Sequence, residues 1–257
     1  MTLIDQQASV VAWNEPAGLT PRGTLIVIPG RGELPALYER LGRRLAGDAY
    51  RVRVVPDPTT DTASVRAQVT DYLSDPGSPA PRVLVGSDTG ALFAVILAVS
   101  GGFPSVDAVV LAGLPSTAQP TAAARARAGG DAWVEELDTR TFCSAHRARL
   151  SALALRRGAL YEPVPDGWAE QADLAAVTVP VLGVHGSDDP VSPLASVRGR
   201  YAAAGSAELI SIAGGRHDAL NDQDHRSAAA VVVLFLERIR RDAGAAPIAV
   251  REELARS

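Results

Sequence analysis

The stretch Pro81-Arg82-Val83-Leu84-Val85-Gly86-Ser87-Asp88-Thr89-Gly90-Ala91-Leu92-Phe93-Ala94 carries the most information about the fold. A short apolar run passes straight into Gly-Ser-Asp-Thr-Gly, and that in turn into an apolar helical segment, Ala91–Val99. A continuous Val/Leu run of this length suits a strand covered on both faces, as in a parallel sheet. The same grammar repeats outward. Strands are expected at Ser9–Trp13, Thr24–Ile28, Arg51–Pro56, Arg82–Val85, Ala108–Ala112, Pro180–Val184 and Leu209–Ile212. Between them, Leu34–Leu45 sets Leu34, Tyr38, Leu41 and Leu45 on one helical face; Val65, Val69 and Leu73 do the same in the next segment, and Ala228–Ile239 is a further apolar helix. Such alternation predicts an α/β fold with a doubly wound, mostly parallel sheet.

One stretch breaks the rhythm. Between Pro115 and Ala176 there is no strand pattern, only Ala/Arg-rich helical pieces punctuated by Gly129-Gly130, Gly158 and Pro163-Val164-Pro165. A βαβ crossover needs only about 10–12 residues, so this segment reads as a helical cap (115–176) inserted into a core domain made of 1–114 and 177–257. The tail after Ala243 is expected to be a loose extension or a short docked helix.

Composition removes several functions. The 257 residues carry a formal charge of −4, and every basic residue is arginine. An acidic balance argues against binding nucleic acid, which needs a basic excess to neutralise phosphates. A single cysteine, Cys143, excludes an internal disulfide framework and a Cys-based zinc site. The segment Met1–Gly18 has neither a basic leader nor a long apolar stretch, and the longest apolar run, Ala228–Leu236, is too short for a bilayer. A cytoplasmic protein that neither enters a membrane nor binds nucleic acid is therefore expected. No metal cluster is evident, and neither glycine-rich turn has a nucleotide-binding spacing, so no cofactor is expected.

Strand, Gly86-Ser87-Asp88-Thr89-Gly90 and helix together resemble the nucleophile elbow of the α/β-hydrolase fold, G-x-Nuc-x-G. The residues two before and two after the nucleophile are crowded between strand and helix, where glycine is favoured. With Asp88 as nucleophile those positions are Gly86 and Gly90; with Ser87 they would be the β-branched Val85 and Thr89. The frame therefore selects Asp88. A plainer role for Asp88 is that of helix N-cap.

The partners follow in the family's chain order, nucleophile, acid, histidine. The run Val179-Pro-Val-Leu-Gly-Val-His-Gly-Ser-Asp-Asp-Pro-Val191 resembles its acid loop and places the acid at Asp189, with Asp188 as the competing choice. Leu209-Ile-Ser-Ile-Ala-Gly-Gly-Arg-His217 resembles its histidine loop. Of the other histidines, His146 lies within the expected cap, His185 at a strand end and His225 near the start of the last helix. Pro29-Gly30-Arg31-Gly32 matches the family's H-G-x-G loop with proline in place of histidine, which implies an oxyanion hole formed by the backbone N–H groups of Arg31 and Thr89. The Arg31 side chain is read as solvated beside Glu33, with binding of an acidic substrate group as the alternative.

An aspartate nucleophile implies the chemistry of epoxide hydrolases and haloalkane dehalogenases of this fold: a covalent alkyl ester, then hydrolysis by water activated by the histidine. Thr89 stands where the dehalogenases carry tryptophan, which favours epoxide opening. The paired cap tyrosines of epoxide hydrolases are reduced to Tyr161, with Trp133, Trp168 and His146 as other candidate proton donors or pocket residues. Leu137, Phe142, Leu150, Leu153, Leu155 and Leu160 would line a pocket for a small, largely apolar substrate or pack within the cap. Two alternatives stay open: an acyl hydrolase (esterase, lactonase, thioesterase) or biosynthetic lyase, and a non-catalytic ligand-binding protein of the same fold.

Overall fold

A computed structural model describes residues 11–104, 106–116, 119, 131–153 and 155–250. Seven strands form one sheet in the order β1-β3-β2-β4-β5-β6-β7. They are β1 (Val11–Trp13), β2 (Thr24–Ile28), β3 (Arg51–Val54), β4 (Arg82–Ser87), β5 (Ala108–Ala112), β6 (Val181–Gly186) and β7 (Ala207–Ile212). Only β1 runs antiparallel, against β3; every other pairing is parallel. The four central strands are apolar on both faces because helices cover both. One layer of core joins Leu25, Val27, Val83, Val85 and Val110 to Leu41 and Leu45 and to Val232 and Leu236; the other joins Ile26, Leu84, Val109 and Leu111 to Val69, Leu92 and Leu97.

The helices are α1 (Glu39–Gly47), α2 (Thr62–Ser74), α3 (Thr89–Val99), α4 (Ala132–Arg140), α5 (Ser144–Ala152), α6 (Trp168–Gln171), α7 (Leu194–Ala202) and α8 (His225–Arg241). The doubly wound sheet expected from the sequence is present, with shifted boundaries. The expected helix Leu34–Leu45 is divided, a 3₁₀ turn at Pro35–Tyr38 leading into α1, as a proline in the first turn allows. β4 runs two residues beyond Val85, and β6 and β7 are likewise longer than expected. Helix α7 has no counterpart in the sequence reading; only Val197 and Tyr201 are buried on it, too sparse a stripe to register as periodicity. Ser9 and Val10 of the first expected strand, Gly129-Gly130, and residues 251–257 of the tail lie outside the described residues.

Between β5 and β6 the described residues contain helices α4–α6 and two 3₁₀ turns but no strand. This segment packs on the carboxyl edge of the sheet: Trp168 stacks on Phe93 of α3 at 5.1 Å, and Arg140 bonds the loop after β2. Among the described residues no helix is long and apolar enough to cross a membrane.

At the turn from β4 to α3, backbone segments approach each other closely. A Cβ at Gly90 would lie 2.1 Å from the Ile28 carbonyl oxygen, and one at Gly86 would lie 2.3 Å from the Gly90 oxygen. Both obstacles are backbone and cannot turn aside. Gly90→Ala should therefore lower stability by about 1–3 kcal/mol or more, measured as a shift in urea midpoint. Gly101→Ala, where a Cβ meets nothing within 4 Å, should leave it within about 0.5 kcal/mol.

Candidate active site

At the tip of β4, Asp88 adopts φ 48° and ψ −122°, an unfavourable conformation for a non-glycine residue. The turn holds it there: the Asp88 N–H donates to the Ala112 carbonyl at 3.0 Å, and the Asp88 carbonyl accepts from the Ala91 N–H at 2.9 Å. The side chain is consequently not an N-cap, for it makes no capping bond to α3. It points instead into the space where the loops after β2, β6 and β7 meet. Ser87, one residue earlier, points elsewhere and brings its hydroxyl to that of Tyr38.

Three loops converge on the Asp88 carboxylate. From the loop after β7, His217 places Nε2 3.3 Å from Asp88 Oδ1, at ion-pair distance but without the alignment of a hydrogen bond. Its Nδ1 lies 2.8 Å from Asp189 Oδ2, in the loop after β6. Asp189 is fixed in turn, its Oδ1 accepting the N–H groups of Val191 and Ser192 at 2.8 and 3.0 Å. Asp188 is exposed and accepts from the Ser187 hydroxyl instead. Asp88, His217 and Asp189 are thus brought together, each 4 % exposed or less.

The loop after β2 departs from the sequence reading. The Arg31 N–H donates to Asp88 Oδ2 at 3.0 Å, as an oxyanion donor would. Its side chain is not solvated beside Glu33. It is 2 % exposed and grips Asp88 through two further bonds, Nε to Oδ2 at 2.8 Å and Nη2 to Oδ1 at 2.7 Å. Nη1 donates to the Glu162 carbonyl in the inserted segment. A guanidinium fork matches a carboxylate edge, so burial beside Asp88 outcompetes hydration. Thr89 opens α3, where the first N–H groups have no intrahelical acceptor, and its buried hydroxyl has no partner.

The charges determine the protonation. Burial pushes the Asp88 carboxyl up, but Arg31 and His217 outweigh it and hold it well below the usual range. Asp189 is also held low, with His217 and His185 overcoming burial. For His217 burial disfavours the cation, yet the two carboxylates raise it to about 10. The resting site is a buried chain of alternating charge: Arg31⁺, Asp88⁻, His217⁺, Asp189⁻.

A second buried cluster supports these loops. Arg140, on α4, lies 3.6 Å from Glu33 Oε1 and 3.5 Å from Asp218 Oδ1, and bonds Glu136 Oε1 at 3.0 Å. It also donates to the Arg31 carbonyl at 3.0 Å, while its own carbonyl accepts the Asp218 N–H at 2.9 Å. Glu33 in turn accepts from the Gly30 N–H and the Tyr38 hydroxyl. Three carboxylates share this cation; burial and then Asp218 push the Glu33 carboxyl up to about 7, against the pull of Arg140.

The four candidate donors are not brought to Asp88. His146 Nε2 binds Asp218 at 2.9 Å, the Tyr161 hydroxyl donates to Thr139 at 3.0 Å, Trp168 packs in the core, and Trp133 lies beneath Arg157. Five of the six expected pocket-lining side chains pack within the protein as well. Leu137 and Leu150 belong to the core, Leu153 and Leu155 are partly buried against it, Leu160 packs on Val191, and Phe142 is exposed under Arg216. The sequence reading missed Arg140 and also His185. The latter is fully buried, with Nε2 2.6 Å from the Ser192 carbonyl and 3.2 Å from Asp189 Oδ2. Its place at the end of β6, four residues before the acid, was the available signal. Among the described residues no group of three or more His, Cys, Asp or Glu side chains could hold a metal ion.

This architecture is the α/β-hydrolase fold. A monoglyceride lipase from Saccharomyces cerevisiae superposes with a TM-score of 0.71 at 17% identity, over 90% of this chain and 91% of that one. A monoacylglycerol lipase from Paleococcus ferrophilus gives 0.70 at 16% identity (91% and 98% covered), and an enol-lactonase from Burkholderia xenovorans gives 0.62 at 16% (89% and 96%). No protein-family model matches the sequence, and no curated protein matches it significantly.

Two outcomes are expected. Arg140→Met leaves Glu33, Glu136 and Asp218 without their shared cation and should cost about 3–5 kcal/mol of stability, read from urea unfolding at neutral pH. Stability should also peak in mildly acidic solution. The His217 contribution is complete below its ordinary 6.5 and is lost as pH rises toward about 10. Glu33, raised from 4.5 to about 7, lowers stability as pH climbs through that interval. Asp88, Asp189 and Asp218, held below 3.8, lose their contribution as pH falls through and below that value. The urea midpoint should therefore be higher at pH 5 than at pH 9.

Proposed function

We propose that this protein is a cofactor-independent hydrolase that opens an epoxide or a similar small electrophile through an ester on Asp88. The observation that carries this reading is the placement of Asp88 at a positive-φ elbow, 3.3 Å from His217 Nε2. An ionised carboxylate needs no base to become a nucleophile, unlike a serine hydroxyl. Asp88 Oδ1 attacks a ring carbon, the C–O bond breaks, and the ring oxygen takes the proton from His217 Nε2.

Esterification then reverses the role of His217. The Asp88 negative charge is gone, one of the two carboxylates that hold the imidazole protonated is lost, and neutral His217 becomes a base. It takes a proton from water, and the hydroxide attacks the Asp88 carboxyl carbon. The oxyanion at Oδ2 is held by the N–H groups of Arg31 and Thr89. Collapse releases the diol alkoxide, which takes the proton from His217; the Asp88 carboxylic acid returns its own proton to the imidazole. Asp189 orients the ring throughout. Residues 115–176 act as a cap over a core of 1–114 and 177–257, and set which substrate enters.

A second reading is acyl hydrolysis, favoured by the lipases and the lactonase among the similar structures. There His217 would activate water directly against an ester held over Asp88. Single turnover of a terminal epoxide in ¹⁸O-water separates the two, because only the covalent route leaves ¹⁸O in the Asp88 carboxylate; unlabelled Asp88 after turnover would overturn it. Asp88→Ala should lower kcat by about 10⁴-fold or more. The free enzyme needs His217 protonated, so kcat/KM should stay flat through neutral pH and fall only as pH approaches about 10.

A further inference from the structure

Attack by Asp88 requires that Oδ1 be free, yet Oδ1 carries Arg31 Nη2 at 2.7 Å. The clash deepens once the ester forms. Asp88 is then neutral, and the Arg31 guanidinium, 2 % exposed, keeps only the Glu162 carbonyl among its present side-chain partners. Among the described residues Asp88 is the carboxylate that pairs with Arg31. A buried cation stripped of its counter-ion is strongly unfavourable.

We propose that the substrate itself carries a carboxylate, which replaces Asp88 on the Nε/Nη2 edge of Arg31. This rests on the reading of Asp88 as nucleophile and adds the substrate class. The exchange is like for like: one planar two-oxygen anion leaves the guanidinium fork and another takes it, so the cation is paired before and after. Asp88 keeps the backbone N–H of Arg31 on Oδ2, because the Arg31 main chain is anchored separately through its carbonyl to Arg140 at 3.0 Å. Only the side chain has to turn. Oδ1, released, faces His217 Nε2. A neutral substrate offers no such exchange and leaves either Asp88 clamped or Arg31 unpaired. One buried polar atom beside the elbow, Thr89 Oγ1, lacks a hydrogen-bonding partner and is available to the remainder of the substrate.

The test compares glycidate, an oxirane carrying a carboxylate, with glycidamide, its neutral isostere. Diol formation and the Asp88 adduct are followed, the latter by mass spectrometry of rapidly quenched protein. Glycidate should be opened with a kcat/KM more than about a hundredfold higher, the ratio that loss of one partner of a buried ion pair corresponds to. Arg31→Met should erase the preference and leave the two compounds within about threefold of each other. If that variant does not fold, raising the concentration of propionate should inhibit the wild type competitively while propionamide does not. Equal opening of both oxiranes through an Asp88 adduct would overturn the carboxylate proposal and leave the nucleophile standing. Preferred opening of glycidate with no ¹⁸O or adduct at Asp88 would sink the nucleophile and keep the anion site. No preference and no adduct would overturn both.

Discussion

The rest of the molecule depends on the absence of two side chains where β4 turns into α3. The Gly90 Cα sits against the backbone carbonyls of Ile28 and Pro29, and Gly86 sits against the backbone of Gly90 and Ala91. That approach lets the helix leave the sheet at once. It also obliges the residue between the glycines to reverse sharply, so Asp88 takes a strained φ of 48°. The hydrogen bonds to Ala112 and Ala91 maintain the conformation against its intrinsic cost. The consequence is positional: the side chain of residue 88 leaves the stack and projects beyond the carboxyl ends of the strands, where ligands of open α/β sheets bind.

Around that projection the charges form two nested buried groups. The inner one, Arg31, Asp88, His217 and Asp189, balances to zero, which explains how four ionised side chains share a site from which solvent is excluded. The outer one, Glu33, Arg140, Glu136, Asp218 and His146, holds an excess of carboxylates, and burial together with the neighbouring Asp218 lifts Glu33 toward neutrality. The two are joined by sequence neighbours. His217 belongs to the first and Asp218 to the second; Arg31 belongs to the first and Glu33 to the second. Arg140 reaches the backbone on both sides, at the Arg31 carbonyl and the Asp218 N–H. The segment between β5 and β6 is therefore bound into the geometry of the site through Arg140.

Arg31 holds a double position in this arrangement. Its backbone N–H suits a developing oxyanion, whereas its guanidinium quenches the carboxylate that would do the chemistry. In the proposed mechanism this pairing protects Asp88 from adventitious electrophiles until another anion satisfies Arg31. Esterification of Asp88 in that mechanism changes two neighbours at once: the imidazole loses one of the two carboxylates that keep it protonated, and the guanidinium loses its partner.

The parts of the fold legible from sequence are those set by local pattern. Continuous apolar runs such as Leu25–Ile28 and Ala108–Leu111 mark strands buried on both faces, and the spacing of Gly86 and Gly90 around Asp88 marks the turn, because steric crowding there acts within five residues. Chain order pointed to His217, and the resemblance of its loop to the family's acid loop pointed to Asp189 over Asp188; His217 lies beside Asp88, and Asp189 beside His217. Contacts across the chain were not legible. Nothing local distinguishes Arg31 from a solvated arginine; its partner is 57 residues away, and only the convergence of the loop after β2 with the elbow removes it from water. The same holds for Arg140, one arginine among many in an arginine-rich segment until folding sets it among three carboxylates. Tyr161, Trp133, Trp168 and His146 took other partners for a related reason: aromatic identity indicates that a side chain will be buried, but packing decides against what.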